Sequence, residues 1–364
     1  MQNEIVIKDS YSPIASFFDS LNAEKIFLVC DASYNFLKVS GFFDSMRNVV
    51  KFSDFTPNPD YESVKKAVKL YKSENCDIIV ALGGGSAIDL AKCVKLYATM
   101  DDSEEYINQP FVENDIKLIA MPTTAGTGSE ATRYAVIYYK GAKQSVTHDS
   151  IIPSTVIFDA SVLKTLPEYQ KKATMLDALC HSFESFWSVN STEESKEYSK
   201  QAIKIITENL KAYLKNETLA NENMLKAANI AGKAINITQT TAGHAMCYKL
   251  TSLYGIAHGH AAAMCVRKLL PYMIANTDKC VDARGEKYLK ETFEQLANTF
   301  NCGSTSELCD KFNALYESLK LQTPEHTDSD IEVLTNSVNP VRLKNNPVGL
   351  DLDAIKMLYK QILE

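Results

Sequence analysis

No stretch of this 364-residue sequence is apolar for long enough to span a membrane, no two cysteines form a Cys-x-x-Cys pair, and lysine and arginine nowhere cluster. The first absence argues against a membrane-crossing helix, and no membrane partner is expected. The cysteines (30, 76, 93, 180, 247, 265, 280, 302 and 309) are nine, an odd number, which suits thiols kept reduced in a cytosol. Scattered cations at a net charge of −7 leave no basic footprint for nucleic acid, although a single Arg or Lys can still hold a small anion. The opening residues, MQNEIVIKDSY, lack the basic-then-apolar pattern of a secretory leader, so the expected location is the cytoplasm. Histidine is scarce too, at six, so the position of each one carries information.

One hydrophobic core rarely organises more than about 250–300 residues, and two domains are therefore expected. Residues 1–160 alternate strand and helix patterns. The runs at 25–30, 49–52, 77–82, 117–122 and 155–160 read as strands, and those at 77–82 and 117–122 lack polar alternation, as strands buried on both faces of a parallel sheet do. A helix from Asp60, its capping residue, has Tyr61, Val64, Val68 and Tyr71 on one face. Residues 134–140 and 144–148 read as a hairpin. Across 161–364 the pattern is helical only, with helices expected at 168–189, 193–215, 221–239, 259–276, 282–300, 304–319 and 351–364, and Ser191-Thr192 as a cap. The fold class is an α/β N-terminal domain followed by an all-helical C-terminal domain.

Glycine is concentrated in three places. Eight of 14 glycines fall in Gly83-Gly84-Gly85, in the loop 121–132 and in the stretch from Gly243 to Gly259. The first follows a buried strand and opens a helix, where close backbone approach and free N–H groups favour phosphate. It is not Gly-x-Gly-x-x-Gly. The second, MPTTAGTGSEAT, again follows a strand and offers hydroxyls at Thr123, Thr124, Thr127 and Ser129.

The remaining chemistry lies in ATMLDALCHSFESFW, residues 173–187. Asp177 and His181, four apart, project from one helix face and can share a cation. An isolated pair of this kind is more often a half-buried helix whose two side chains hydrogen-bond. His244 and His258 alter that balance. One carboxylate and three imidazoles form a ligand set suited to Fe(II) or Zn and, having no thiolate, unlike a closed structural zinc site.

GGGSAIDLAK, PTTAGTGSEAT, LDALCHSFESF and the pair His244 and His258 together resemble the iron-containing (group III) alcohol dehydrogenases, whose fold is dehydroquinate synthase-like. The resemblance covers nearly the whole chain. It implies a dinucleotide-binding domain at 1–160, a metal-binding domain at 161–364, and Asp177, His181, His244 and His258 as ligands of Fe(II) or Zn. It places the dinucleotide on Gly84, Gly85, Ser86 and Asp89, beside Thr123, Thr124 and Thr127, with Asn58 and Lys143 as further contacts. A homo-oligomer, at least a dimer, is also implied. Asp31 follows the first strand, where an acidic residue bonds ribose and repels a 2′-phosphate, so NAD is expected over NADP.

One position departs from the family. Many members carry a further histidine four residues after the first histidine of the second motif, and here it is Tyr248. The phenol of Tyr248 can act as a general acid, and His260 is the other candidate; packing is the alternative for each. The expected reaction interconverts a short aldehyde and its primary alcohol. The stretch 234–264 looks like the phosphonoacetaldehyde reductase branch, which implies an anionic substrate, with Arg133, Lys249, Thr251, Ser252 and His260 as donors near the motifs. Succinic semialdehyde, a plain alcohol, or a dehydroquinate synthase-like lyase activity are the competing readings.

Overall fold

The computed structural model describes residues 2–364. Two compact units form, one from residues 2–166 and 216–229, the other from 167–215 and 230–364.

The first unit contains β1 (Asn3–Ile7), α1 (Ser12–Ser20), β2 (Ile26–Cys30), α2 (Lys38–Asp44), β3 (Val49–Phe52), α3 (Tyr61–Ser73), β4 (Ile78–Gly83), α4 (Gly85–Tyr97), β5 (Lys117–Pro122), β6 (Tyr134–Tyr139), β7 (Ala142–Thr147) and β8 (Thr155–Asp159). Six strands make one parallel sheet in the order β1-β8-β5-β4-β2-β3. Every residue of β2, β4 and β8 is buried, and so is all of β5 but Lys117; cover on both faces is why the runs of β4 and β5 lack polar alternation. Asp60 caps α3 by accepting from the Ser63 N–H at 2.7 Å, a contact worth about 1 kcal/mol. β6 and β7 pair as the expected hairpin, turning through Lys140 and Gly141, both at positive φ. β1 pairs with β8 in register Asn3 to Thr155, and five residues of an edge strand gave no signal that singled them out.

Strand order also fixes where a ligand belongs. From β2 the chain runs outward to β3, then returns to the other side of β2 as β4 and continues to β5 and β8. β2 and β4 thus diverge at a topological switch point, and the crevice beyond their carboxyl ends is where open parallel sheets bind ligands.

α5 (Glu168–Trp187) and α6 (Glu193–Leu214) open the second unit; α7 (Thr218–Thr238) follows, its residues up to Asn229 belonging to the first unit and the rest to the second. Next come α8 (Ala242–Tyr254), α9 (His258–Ala275), α10 (Glu286–Thr299), α11 (Thr305–Ser318), α12 (Asp328–Ser337), the short α13 (Pro340–Leu343) and α14 (Leu352–Leu363). Thr192 caps α6 through a reciprocal capping box with Ser195. α8 and α12 correct the sequence expectation, which has no helix at either place. No described helix is long and apolar enough to cross a membrane.

Candidate active site

In the first unit the switch point brings the carboxyl ends of β2 and β4 together. Asp31 follows β2 and Gly84 follows β4, and the Gly84 N–H points at Asp31 Oδ2 at 3.4 Å while Ser33 N–H donates to Oδ1 at 2.9 Å. Gly84 caps α4 without a side chain and Gly85 begins the helix, so its first N–H groups open onto the turn. Thr124 and Thr127 lie over these two glycines: a Cβ on Gly84 would meet the Thr124 methyl at 3.5 Å, and one on Gly85 the Thr127 methyl at 3.0 Å. Thr123 is buried and donates its N–H to the Gly83 carbonyl at 3.0 Å. Asn58, at φ +59°, donates its N–H to Ser86 Oγ at 3.0 Å.

Asp89 accepts from Ser129 Oγ at 2.5 Å and from the Val136 N–H at 2.9 Å. Burial raises its pKa, opposed by Lys92 first and by Lys143 of β7 among others. Lys92, which the sequence reading left unassigned, holds the threonine-rich loop to α4. Its ammonium is fully buried, with Ser129 Oγ, the Thr132 carbonyl and hydroxyl and the Tyr134 carbonyl at 2.7–3.1 Å to share its three N–H groups. Burial brings its pKa down to about 8.

In the second unit, Asp177 of α5, His244 of α8 and His258 of α9 bring one ligand atom each to within 4.8 Å of one another. His181, one turn after Asp177, stacks on His244 with ring centroids 4.4 Å apart and planes at 16°. Asp177, His181 and His244 are buried and His258 is half-buried, so the group is reached from the His258 side.

The residue missing from the sequence reading is Glu184. Two turns after Asp177, it accepts the His244 Nδ1 proton at 2.5 Å, while His244 Nε2 lies 3.3 Å from Asp177 Oδ1. Its other oxygen accepts from the N–H and hydroxyl of Thr241, the hydroxyl at 2.6 Å, and Trp187 Nε1–H in turn donates to Thr241 Oγ1 at 3.0 Å. A carboxylate on Nδ1 fixes the tautomer and turns the Nε2 lone pair toward the group. A glutamate seven residues beyond Asp177 shares its helix face, and that spacing is the signal that could have found it.

Close helix packing makes the group possible. A Cβ on Gly259 would stand 2.1 Å from the Ala173 carbonyl oxygen and 2.5 Å from Asp177 Cβ, so only glycine lets the start of α9 lie this near α5.

The charges interlock. Burial alone would raise Asp177, but His181 first, then His244 and His258, hold it well below the carboxylate range. Burial alone would lower His244, yet Glu184 and Asp177 raise it to about 9 from 6.5. Without metal, His244 is therefore an imidazolium between two carboxylates, and the stability this gives is complete below pH 6.5 and is lost as pH rises through about 9. A metal must displace that proton, so affinity should climb over the same window. Chelator competition at pH 6.5 and 9 checks this, and equal affinities would mean a ring already neutral.

Tyr248 lies against His258, ring centroids 5.3 Å apart at 24°, and accepts a hydrogen bond from Arg342 at 2.8 Å. His260 is not brought to the group. Its nitrogens meet the hydroxyls of Tyr169 at 3.1 Å and Tyr316 at 3.0 Å, and burial lowers its pKa to about 4. Of the suggested anion donors, Arg133 pairs with Asp149 at 3.1 Å, and Ser252 is exposed, donating to the Lys249 carbonyl.

Residues 3–160 match the family model for iron-containing alcohol dehydrogenase, and 171–363 match that for the C-terminal part of the Fe-containing alcohol dehydrogenase family. The chain belongs to the iron-containing alcohol dehydrogenase family. Within it, long-chain-alcohol dehydrogenase 1 of Geobacillus thermodenitrificans is 30% identical over 278 residues, 74% of this chain and 66% of that protein. Phosphonoacetaldehyde reductase of Streptomyces viridochromogenes is 28% identical over 312 residues, 82% of this chain and 79% of that protein. In fold, this chain superposes on sulfoacetaldehyde reductase from Bifidobacterium kashiwanohense in complex with NAD+ with a TM-score of 0.88 at 24% identity, over all of this chain and 97% of that one. The chain spans 66% of the first relative's length and 31% of that of the aldehyde-alcohol dehydrogenases that it also matches. The family carries a metal, and the donor set fits one: a carboxylate oxygen and imidazole nitrogens suit iron or zinc, with Glu184 already holding one ring's tautomer.

Proposed function

We propose that this dehydrogenase reduces a short acidic aldehyde with NADH, phosphonoacetaldehyde being the substrate and 2-hydroxyethylphosphonate the product. The observation that carries the reading is His244 held between two buried carboxylates, with Asp177 and His258 converging on it. Asp177, His181, His244 and His258 hold the ion, and the turn from Gly84 to Asp89 holds the dinucleotide with Thr123, Thr124, Thr127, Asn58 and Lys143. When bound, the ion supplies Lewis-acid polarisation of the substrate oxygen, and NADH supplies the hydride. Tyr248 would give its phenolic proton to the substrate oxygen. Burial keeps this phenol protonated by raising its pKa, and Arg342 partly offsets the rise. The kinship with phosphonoacetaldehyde reductase over 82% of the chain supports the substrate class.

Steady-state kinetics with NADH and either Fe(II) or Zn on phosphonoacetaldehyde, succinic semialdehyde and butanal test it. Phosphonoacetaldehyde should show the highest kcat/KM. A lead for succinic semialdehyde replaces the phosphonate by a carboxylate, and a lead for butanal rejects the acidic class.

For the cofactor, Asp31→Gly should raise the activity ratio of NADPH to NADH by about tenfold or more, because the carboxylate at the end of β2 is what a 2′-phosphate would meet. A wild-type enzyme that already prefers NADPH refutes this assignment.

A further inference from the structure

Three of the chain's arginines have carboxylate partners: Arg133 has Asp149, Arg267 has Glu317 and Arg284 has Asp282. Arg342 differs. Its Nη1 donates to the neutral Tyr248 hydroxyl at 2.8 Å, its guanidinium carbon stands 4.8 Å from the centroid of the same ring, and among the described residues no carboxylate lies within ion-pair reach of it. The ring that carries it lies on His258, a member of the metal-ligating group. A full positive charge without a counter-ion is thus set one side chain away from that group.

The guanidinium is also held in place. It rises from α13, whose first turn is capped by Asn339 accepting from the Val341 N–H at 2.9 Å. Just beyond, Asn345 donates to Gln239 Oε1 at 3.0 Å and to the Thr240 carbonyl at 3.2 Å, and its own carbonyl accepts from the Val189 N–H at 3.1 Å. These bonds tie the segment after α13 to the residues just before Thr241, the residue that grips Glu184.

We propose that Arg342, seated on Tyr248, is the residue that takes the acidic head group of the aldehyde, a deepening that rests on the acidic-substrate reading above. A guanidinium presents five N–H donors in a planar fork, and only one is engaged here, which leaves the paired geometry that a phosphonate or carboxylate accepts. In a two-carbon aldehyde the head group is two bonds from the carbonyl carbon, on the order of 3 Å, so its anchor must stand beside the metal ligands. Arg342 does so. Tyr248 in place of the family's usual histidine gains a purpose: a phenol accepts from a guanidinium without competing for the metal.

The test compares kcat/KM for phosphonoacetaldehyde and butanal in metal-loaded wild type, Arg342→Gln and Arg342→Lys. The acidic-to-neutral ratio should fall about a hundredfold in Arg342→Gln and by less in Arg342→Lys, which keeps charge but loses the fork. Using the ratio cancels any change in Tyr248 acidity, which affects both aldehydes alike. Binding of 2-hydroxyethylphosphonate by calorimetry should weaken in the same order. A ratio unchanged within about threefold in a variant with full metal content overturns the proposal, and if Arg342→Gln fails to fold, the Arg342→Lys ratio decides alone. A wild type that prefers butanal sinks the acidic-substrate reading and the anchor together, and is recognised before any variant is made.

Discussion

His244→Ala and His258→Ala should each lose the bound metal and cut aldehyde reduction at least about a thousandfold, the several kcal/mol that a Lewis acid contributes to such a barrier. NAD binding should survive in both, because the turn at Gly84 belongs to the other compact unit and shares no residue with the ligand group. Glu184→Gln should behave differently. Its side-chain oxygen can still accept the His244 Nδ1 proton, but the negative charge is gone, so metal should bind about 10- to 100-fold more weakly rather than vanish. Elemental analysis after gel filtration, with calorimetry for NAD, separates the three. Stoichiometric metal in either alanine variant would falsify the ligand assignment.

Gly259→Ala should unfold the second unit's metal site by geometry alone. The new methyl cannot stand 2.1 Å from a backbone carbonyl, so α9 must draw back from α5 and carry His258 away from Asp177. Overpacking of a close contact costs about 1–3 kcal/mol, and one against backbone, which has no rotamer to change, belongs at or above the top of that range. Gly255→Ala is the control. That glycine sits at φ +68° and a Cβ there would have nothing within 4 Å, so its replacement costs about 1 kcal/mol of backbone strain and no packing. Urea midpoints and metal content of both proteins give the comparison; equal losses would mean that the helices are not in close contact.

Sequence pattern reached the fold where burial and local preference agree. β4 and β5 are apolar because both faces are covered, and Asp60 and Thr192 announce their helices by capping chemistry. It failed at α8, and the reason is the site itself. A Cβ on Gly243 would stand 2.5 Å from Glu184 Oε1, so the approach of α8 to α5 demands a residue that weakens the helix signal. Asp177, His244 and His258, whose ligand atoms lie within 4.8 Å of one another, could be singled out because histidine is rare and helical spacing is rigid. Arg342 could not be, since basic residues are common and only tertiary packing puts it on Tyr248; Glu184 carried only its helical spacing from Asp177, and packing is what sets it on His244. His260 illustrates the converse error: two residues from a ligand in sequence, it is turned to Tyr169 and Tyr316.

Trp187 is the chain's single indole, and its N–H ends the hydrogen-bonded series that runs through Thr241 and Glu184 to His244. The unlabelled protein therefore contains its own optical probe. All tryptophan emission arises from one buried side chain three hydrogen bonds from the imidazole, so a fluorescence titration of Fe(II) or Zn into metal-free protein reads charge redistribution at one place without deconvolution. The same signal followed in urea reports the second unit by itself, since every change in it belongs to a single emitter.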